Sequence, residues 1–291
     1  MICNLCPRRC NAERKENINL NGICEMPLSP KVARASLHFW EEPPISGKNG
    51  SGTVFFSGCP LKCIYCQNFD VSRGENGKIV SVERLAEIFK ELKEKGAHNI
   101  NLVTPTHYAV QIKQALQIYK PEIPIVYNSS GYENVETLKM LEGFVDIFLV
   151  DFKYISYEKA KEYSLAENYP QIAKKAIEEC YRQQPKCVIE NGIMKKGVIV
   201  RHLILPQSTK DAMAVFDWVR ENTPNAYFSI MSQYLPFGDA VGHKVIGRKI
   251  TKREYEKVLN YICEYNFKNV YIQELESSSK EFIPDFNLQG V

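Results

Sequence analysis

The chain has 291 residues, a formal charge of +3, ten cysteines and 44% hydrophobic residues. That length allows one large domain with a nearly closed core, or two small ones, and a charge this close to neutral demands no polyanionic partner, so nucleic acid is not expected. Clustered cysteines in such a chain argue against a disulfide scaffold and for bound metal in a reducing compartment, hence a cytoplasmic protein.

The opening, Met1 to Cys6, lacks a basic stretch followed by an apolar one, and no run approaches the ~20 apolar residues of a membrane span, so neither a secretory leader nor a membrane partner is expected. Residues 1–50 form a Cys-rich, metal-binding segment and linker, rich in Pro and charge and short of periodic apolar pattern. Their cysteines follow the spacing Cys3-x2-Cys6-x3-Cys10-x13-Cys24. Four thiols so placed can close a tetrahedral zinc site or a cubane iron-sulfur cluster, and spacing leaves the choice open, with a structural metal slightly favoured. Arg8 and Arg9 lack the interleaved aromatics of a nucleic-acid surface. The run His38-Phe39-Trp40-Glu41-Glu42-Pro43-Pro44 joins this segment to the rest, either lining a site or bracing a neighbouring loop, and Pro43 to Gly52 reads as loop.

From Thr53 the chain alternates. Apolar runs at 53–57, 100–103, 125–127, 147–150, 198–205 and 227–231 read as buried strands, and 270–273 as a short additional one. Helical patterns fit 108–119, 135–141, 171–181, 210–221 and 251–265. The clearest begins at the cap Ser81, places Val82, Leu85, Ile88, Phe89 and Leu92 on one face, and stops at Gly96. Such alternation implies an α/β fold, a partial (β/α)6 TIM-like barrel over 51–273, with its chemistry at the carboxyl ends of the strands. The tail, 274–291, is expected to pack on the barrel through Phe282, Ile283, Pro284 and Phe286 as an apolar plug or lid. Cys180, Cys187 and Cys263 are dispersed and read as small hydrophobes.

The most informative stretch follows the first barrel strand: Gly58-Cys59-Pro60-Leu61-Lys62-Cys63-Ile64-Tyr65-Cys66-Gln67-Asn68. Cys59, Cys63 and Cys66 offer three thiolates where a cubic cluster needs four, which leaves one iron open to a small ligand. A structural zinc loop or buried thiols would need no aromatic at Tyr65.

This CxxxCx-aromatic-C loop resembles that of the radical S-adenosylmethionine (radical SAM) superfamily. The resemblance implies a site-differentiated [4Fe-4S] cluster, S-adenosylmethionine on the open iron, one-electron cleavage to a 5'-deoxyadenosyl radical, and Tyr65 against adenine with Asn68 nearby. It is nearest to the pyruvate formate-lyase activating enzyme-like branch, whose poorly understood relatives share a CxxCPxxC opening and a Trp-Glu-Glu-Pro-Pro-Ile-Ser-Gly run. Gln67 stands where characterised activating enzymes have His, so radical SAM identity transfers better than glycyl-radical activation. The implied enzyme abstracts hydrogen from an unknown protein, peptide or small molecule and takes electrons from a flavodoxin or ferredoxin. A non-catalytic iron-sulfur or zinc protein, an electron carrier or scaffold, is the alternative.

The resemblance also assigns roles at later strand ends. Thr104, Pro105 and Thr106 stand where the family meets the methionine amino group, without its glycines, and the neighbouring His107 is more readily a structural residue than a substrate contact. Asn128 and Ser129 suit the methionine carboxylate or ribose, Asn128 standing where related activating enzymes have an acid. Asp151-Phe152-Lys153 matches an Asp-x-Lys element. Strand alternation lets only one of Arg201 and His202 enter the barrel. An Arg in an apolar strand needs an anion, so Arg201 is expected inside, toward cofactor or substrate, and His202 between sheet and helices. Gln233 and Tyr234 are offered at the mouth.

Overall fold

The computed structural model describes residues 2–18, 22–265, 267–275 and 284–291. After the Cys-rich opening the chain forms β1 (Lys31–His38), the one-turn α1 (Pro43–Ser46), β2 (Ser51–Phe56), the short α2 (Phe69–Arg73), β3 (Lys78–Ile79), α3 (Val82–Glu94), β4 (Ile100–Val103), α4 (Ala109–Ile118), β5 (Ile125–Ser129) and α5 (Val135–Met140). There follow β6 (Ile147–Asp151), α6 (Tyr157–Ser164), α7 (Tyr169–Gln183), β7 (Val188–Glu190), β8 (Ile193–Leu203), α8 (Thr209–Asn222), β9 (Tyr227–Met231), α9 (Lys252–Glu264) and β10 (Val270–Ile272).

One mixed sheet runs in the order β10-β9-β8-β6-β5-β4-β2-β1-β3. From β2 to β10 every neighbouring pair is parallel, so the six expected strands and the short seventh lie side by side in an open, partial barrel. Helices interleave because parallel neighbours need a crossover. α3 illustrates the local logic: Ser81 accepts the Arg84 N–H at 3.1 Å, and Leu85, Ala86, Ile88, Phe89 and Leu92 are buried. They pack with Val32, Val54, Phe56 and Leu102 from β1, β2 and β4.

Two parts of the linker depart from the expectation. Residues 31–38 are strand, antiparallel to β2, with β3 antiparallel beyond it. Residues 43–46 are helix rather than loop: Pro43 occupies the first helical turn, where a missing N–H costs nothing. That turn inserts Ile45, with no exposed surface, among Val126, Ile147, Leu149 and Ile199, the inward residues at the base of β5, β6 and β8. Burying that side chain contributes about 2 kcal/mol, and the Ile45 carbonyl accepts from the buried Asn99 amide at 2.7 Å. The β7–β8 hairpin was also unforeseen; it turns at Asn191 and Gly192, both at positive φ (51° and 80°), as a two-residue hairpin loop requires.

Of the tail, Phe282 and Ile283 lie outside the described residues. The Phe286 ring meets that of Phe55 edge-on at 5.3 Å, and the Gln289 carbonyl accepts from the Ala35 N–H at 2.8 Å, so the last residues pack on β1 and β2.

Candidate active site at the carboxyl ends of the strands

The loop after β2 turns back through Gly58 and Lys62, at φ 79° and 49°. Cys59, Cys63 and Cys66 thereby face one cavity, which Tyr65, Gln67 and Asn68 also line. Sulfur is met by donors: Leu61 N–H reaches Cys59 Sγ at 3.4 Å, and the Ser164 hydroxyl donates to Cys63 Sγ at 3.1 Å. Burial, then the neighbouring Cys63 and Cys66, pushes the Cys59 thiol up to about 12, and burial raises Cys66 as well. Burial and crowding thus keep Cys59 and Cys66 as thiols in the free protein, and a bound cation would favour their thiolates. None is in a disulfide.

Tyr65 is buried under a shell of aromatics, with Tyr154, Tyr163 and Tyr234 edge-on at 6.4, 6.5 and 5.8 Å. Its hydroxyl accepts from Tyr154 at 2.7 Å, and Tyr154 in turn lies 2.9 Å from Ser164 Oγ. Tyr154 and Tyr163, from the β6–α6 connection and α6, escaped the sequence reading because each looks like ordinary core, whereas Tyr234, from the loop after β9, was offered at the mouth.

The far wall is a charge network on the inward column of the sheet. Asp151 ends β6 opposite Arg201 of β8 in register. Arg201 Nε donates to Asp151 Oδ1 at 2.8 Å, Nη2 to Asn128 Oδ1 at 2.7 Å and Nη1 to Glu41 Oε2 at 3.1 Å. Glu41 Oε1 accepts from Asn101 and Asn128, each at 3.1 Å. Lys153 Nζ donates to Asp151 Oδ2 at 2.6 Å. The Tyr169 hydroxyl pins the strand end, lying 2.8 and 2.9 Å from the Ser130 and Asp151 carbonyls.

Burial opposes the Asp151 charge, but Arg201 and Lys153 outweigh it and hold the carboxyl below its usual range. Burial also works against Lys153, yet Asp151 and nearby Cys63 keep its ammonium above the ordinary value. Beneath them burial dominates: Glu41 is raised, and Glu42 is pushed up to about 7.

Eleven residues proposed for the site line the cavity together: Cys59, Cys63, Tyr65, Cys66, Asn68, Thr104, Asn128, Ser129, Asp151, Lys153 and Arg201. Gln233 joins them, as do His38, Trp40 and Glu41 of the linker. Thr106 is a correction. It is 1% exposed and its hydroxyl donates to Glu133 Oε1 at 2.6 Å, because Thr104, at φ 58°, turns the chain away from the cavity. His107 is likewise buried against Ser57 O at 2.7 Å, and Tyr234 is buried with its hydroxyl donating to Ile246 O at 2.6 Å. His202 points outward, Nδ1 at 2.7 Å from Phe152 O. Cys3, Cys6, Cys10 and Cys24 lie together in the amino-terminal segment rather than in the cavity.

No helix among the described residues is long and apolar enough to cross a membrane. An uncharacterised protein of Methanocaldococcus jannaschii, MJ0674, is 31% identical over 281 residues, covering 92% of this chain and 76% of its own. Among solved structures, Streptococcus suis SuiB bound to S-adenosylmethionine matches 77% of this chain and 50% of its own at a TM-score of 0.53 and 16% identity. Methylornithine synthase (PylB) matches 82% of this chain and 65% of its own at 0.52 and 16%. The chain thus spans about half the length of SuiB, and both likenesses speak to the partial-barrel fold. The family model described as the Radical SAM superfamily matches residues 53–219, from β2 into α8, so the chain that carries this three-cysteine loop belongs to the radical SAM superfamily.

Proposed function

We propose that this protein is a radical SAM enzyme that abstracts hydrogen from a protein, peptide or small-molecule substrate, in the manner of the pyruvate formate-lyase activating enzyme-like branch. The observation that carries the reading is the meeting, in one cavity, of three unpaired thiols with a polar wall of Asn128, Asp151, Lys153 and Arg201. The donor set fits a [4Fe-4S] cluster: Cys59, Cys63 and Cys66 would hold three irons, their sulfurs met by the Leu61 N–H and the Ser164 hydroxyl. When bound there and given one electron, the cluster and S-adenosylmethionine together supply a 5'-deoxyadenosyl radical.

The protein's part is orientation. Lys153 and Arg201 carry the cavity's positive charge and suit a carboxylate, with Arg201 locked by Asp151, Asn128 and Glu41 so that little order is lost on binding. Thr104 and Ser129 offer hydroxyls beside them. Tyr65, held by Tyr154, gives a rigid flank to an aromatic base. Trp40 and His38 of the linker line the same cavity. A peptide substrate draws support from SuiB, whose structure is also solved with its precursor peptide SuiA. Ten free cysteines suit the reducing cytoplasm and an electron supply from a flavodoxin or ferredoxin.

Anaerobic reconstitution with iron and sulfide, then dithionite and S-adenosylmethionine, tests the reading. Formation of 5'-deoxyadenosine and methionine, abolished by Cys63→Ala, is expected. A reducible cluster indifferent to S-adenosylmethionine would instead make the protein an electron carrier.

A further inference from the structure

The amino-terminal cysteines repeat the local architecture of the cavity loop. The spacing Cys3-x2-Cys6-x3-Cys10 is the reverse of Cys59-x3-Cys63-x2-Cys66, and Cys24 adds the fourth thiol that the cavity lacks. Backbone N–H groups turn to sulfur at the same offset in both. Arg8 serves Cys6 and Met26 serves Cys24, as Leu61 serves Cys59 and Asn68 serves Cys66, each two residues on. Left-handed residues abut the cysteines in both loops: Arg9 before Cys10, Glu25 after Cys24 and Lys62 before Cys63, at φ 42°, 58° and 49°. Turns of this kind present concave rows of N–H groups of the type that hold iron-sulfur clusters.

Cys3, Cys6 and Cys24 are buried, Cys10 is half-buried, and all four are unpaired and close enough for their charges to act on Cys6. The buried Arg14 guanidinium approaches Cys3 Sγ at 3.8 Å and places a positive charge beside the thiol cluster. Four thiols can close a tetrahedral zinc site as well as a cubane; the mirrored spacing and the N–H offsets shared with the cavity loop favour the cubane.

The two loops touch. A Cβ on Gly58, the residue before Cys59, would fall 3.0 Å from the Cys24 carbonyl oxygen and 2.2 Å from Met26 Cγ. Arg8 ties the segment to the cavity loop by donating to Pro60 O at 2.8 Å, and to the end of α6 by donating to Ser164 O at 2.8 Å.

We infer that Cys3, Cys6, Cys10 and Cys24 hold a second, fully ligated [4Fe-4S] cluster that passes electrons to the cavity centre. Because its four corners are filled, it binds no substrate. A reduced flavodoxin or ferredoxin loses one electron to it, the cavity centre gains one, and no atom or proton is transferred. The cluster assignment stands by itself; the relay rests on the radical SAM reading.

Iron, zinc and acid-labile sulfide are measured in anaerobically reconstituted full-length protein, and low-temperature electron paramagnetic resonance after dithionite. We expect about eight irons per chain, and about four with a reducible cubane signal in the variant with Cys59, Cys63 and Cys66 all changed to Ala. Zinc in place of iron in that variant, or neither metal, overturns the centre. For the relay, Cys10→Ala is compared under two reductants. 5'-Deoxyadenosine formation driven by reduced flavodoxin should fall at least about tenfold while dithionite-driven formation falls far less. Equal falls overturn the relay. Eight irons with no S-adenosylmethionine cleavage by the unaltered chain would sink the proposed function and the relay, and leave the second cluster standing.

Discussion

The pairing of Glu41 with Arg201 joins residues 160 positions apart, and a double-mutant cycle measures whether it holds the wall together. Both side chains are nearly buried, at 10% and 14% exposed. In Glu41→Gln the amide oxygen still accepts from Asn101 and Asn128, and Arg201 keeps Asp151, so the loss is the charge-assisted bond alone, about 2 kcal/mol. Arg201→Met strips the cation from two carboxylates at once and should cost about 4 kcal/mol. In the double variant Asp151 and Lys153 remain a balanced pair at 2.6 Å, and Glu41 no longer adds an uncompensated charge. It should therefore lose about 4 kcal/mol rather than 6, a coupling of about 2 kcal/mol. The assay is anaerobic denaturant unfolding of the four proteins under one buffer, where each kcal/mol also shifts the melting temperature by about 2 °C. Losses that add to within about 0.5 kcal/mol would refute the pairing.

Three further outcomes follow from single contacts. Gly131→Ala places a Cβ 2.3 Å from the Asp151 carbonyl oxygen at φ 76°, whereas Gly143→Ala, at φ 83°, meets open space. Chemical denaturation should show about 1 kcal/mol lost at Gly143 and clearly more at Gly131, with S-adenosylmethionine binding weakened only at Gly131. Ser164→Ala removes the hydroxyl that donates to Cys63 Sγ, and a redox titration of the reconstituted protein should find the cavity cluster shifted to lower potential. Glu254 closes a capping box on Thr251 and pairs with Arg248 at 2.8 Å, which together with its other hydrogen bonds hold its carboxyl down at about 2. A folded pKa below the unfolded one gives stability that is present above about pH 4.5 and fades as pH falls toward 2. Glu254→Gln should therefore melt lower than the unaltered chain at pH 7, with the gap closing at acid pH.

Much of this was legible because it is written locally. The six strands show as short apolar runs, the cavity loop as three cysteines and a tyrosine, and the inward turn of Arg201 as a parity argument along β8. What was hidden depended on distance or on a broken period. β1 contains a register shift between Val32 and Arg34, so its buried residues fall as two adjacent pairs rather than alternating, and the strand period disappears. Thr106 was assigned by position in the loop, but one left-handed residue at Thr104 was enough to send it to Glu133. Glu41 carried no signal of a partner on β8, though a charged pair ahead of two prolines within an aromatic run was a reason to suspect the cavity.

The amino-terminal stretch and the barrel read in sequence as two regions, yet the contacts argue that the barrel needs the stretch in order to fold. A chain begun at Ser51 would expose the β2 edge that β1 now pairs from Val32 to His38. It would lose Ile45 from the base of the barrel and leave there a void lined by Val126, Ile147, Leu149 and Ile199, at about 3 kcal/mol. Arg201 would lose Glu41, Gly58 would lose Met26, and the Pro60 and Ser164 carbonyls would lose Arg8. Those losses together approach the whole stability of an ordinary domain. The truncated chain should therefore be insoluble or unfold without a cooperative transition, and a soluble product with a sharp melt near that of the full chain would show that the barrel stands without its amino-terminal stretch.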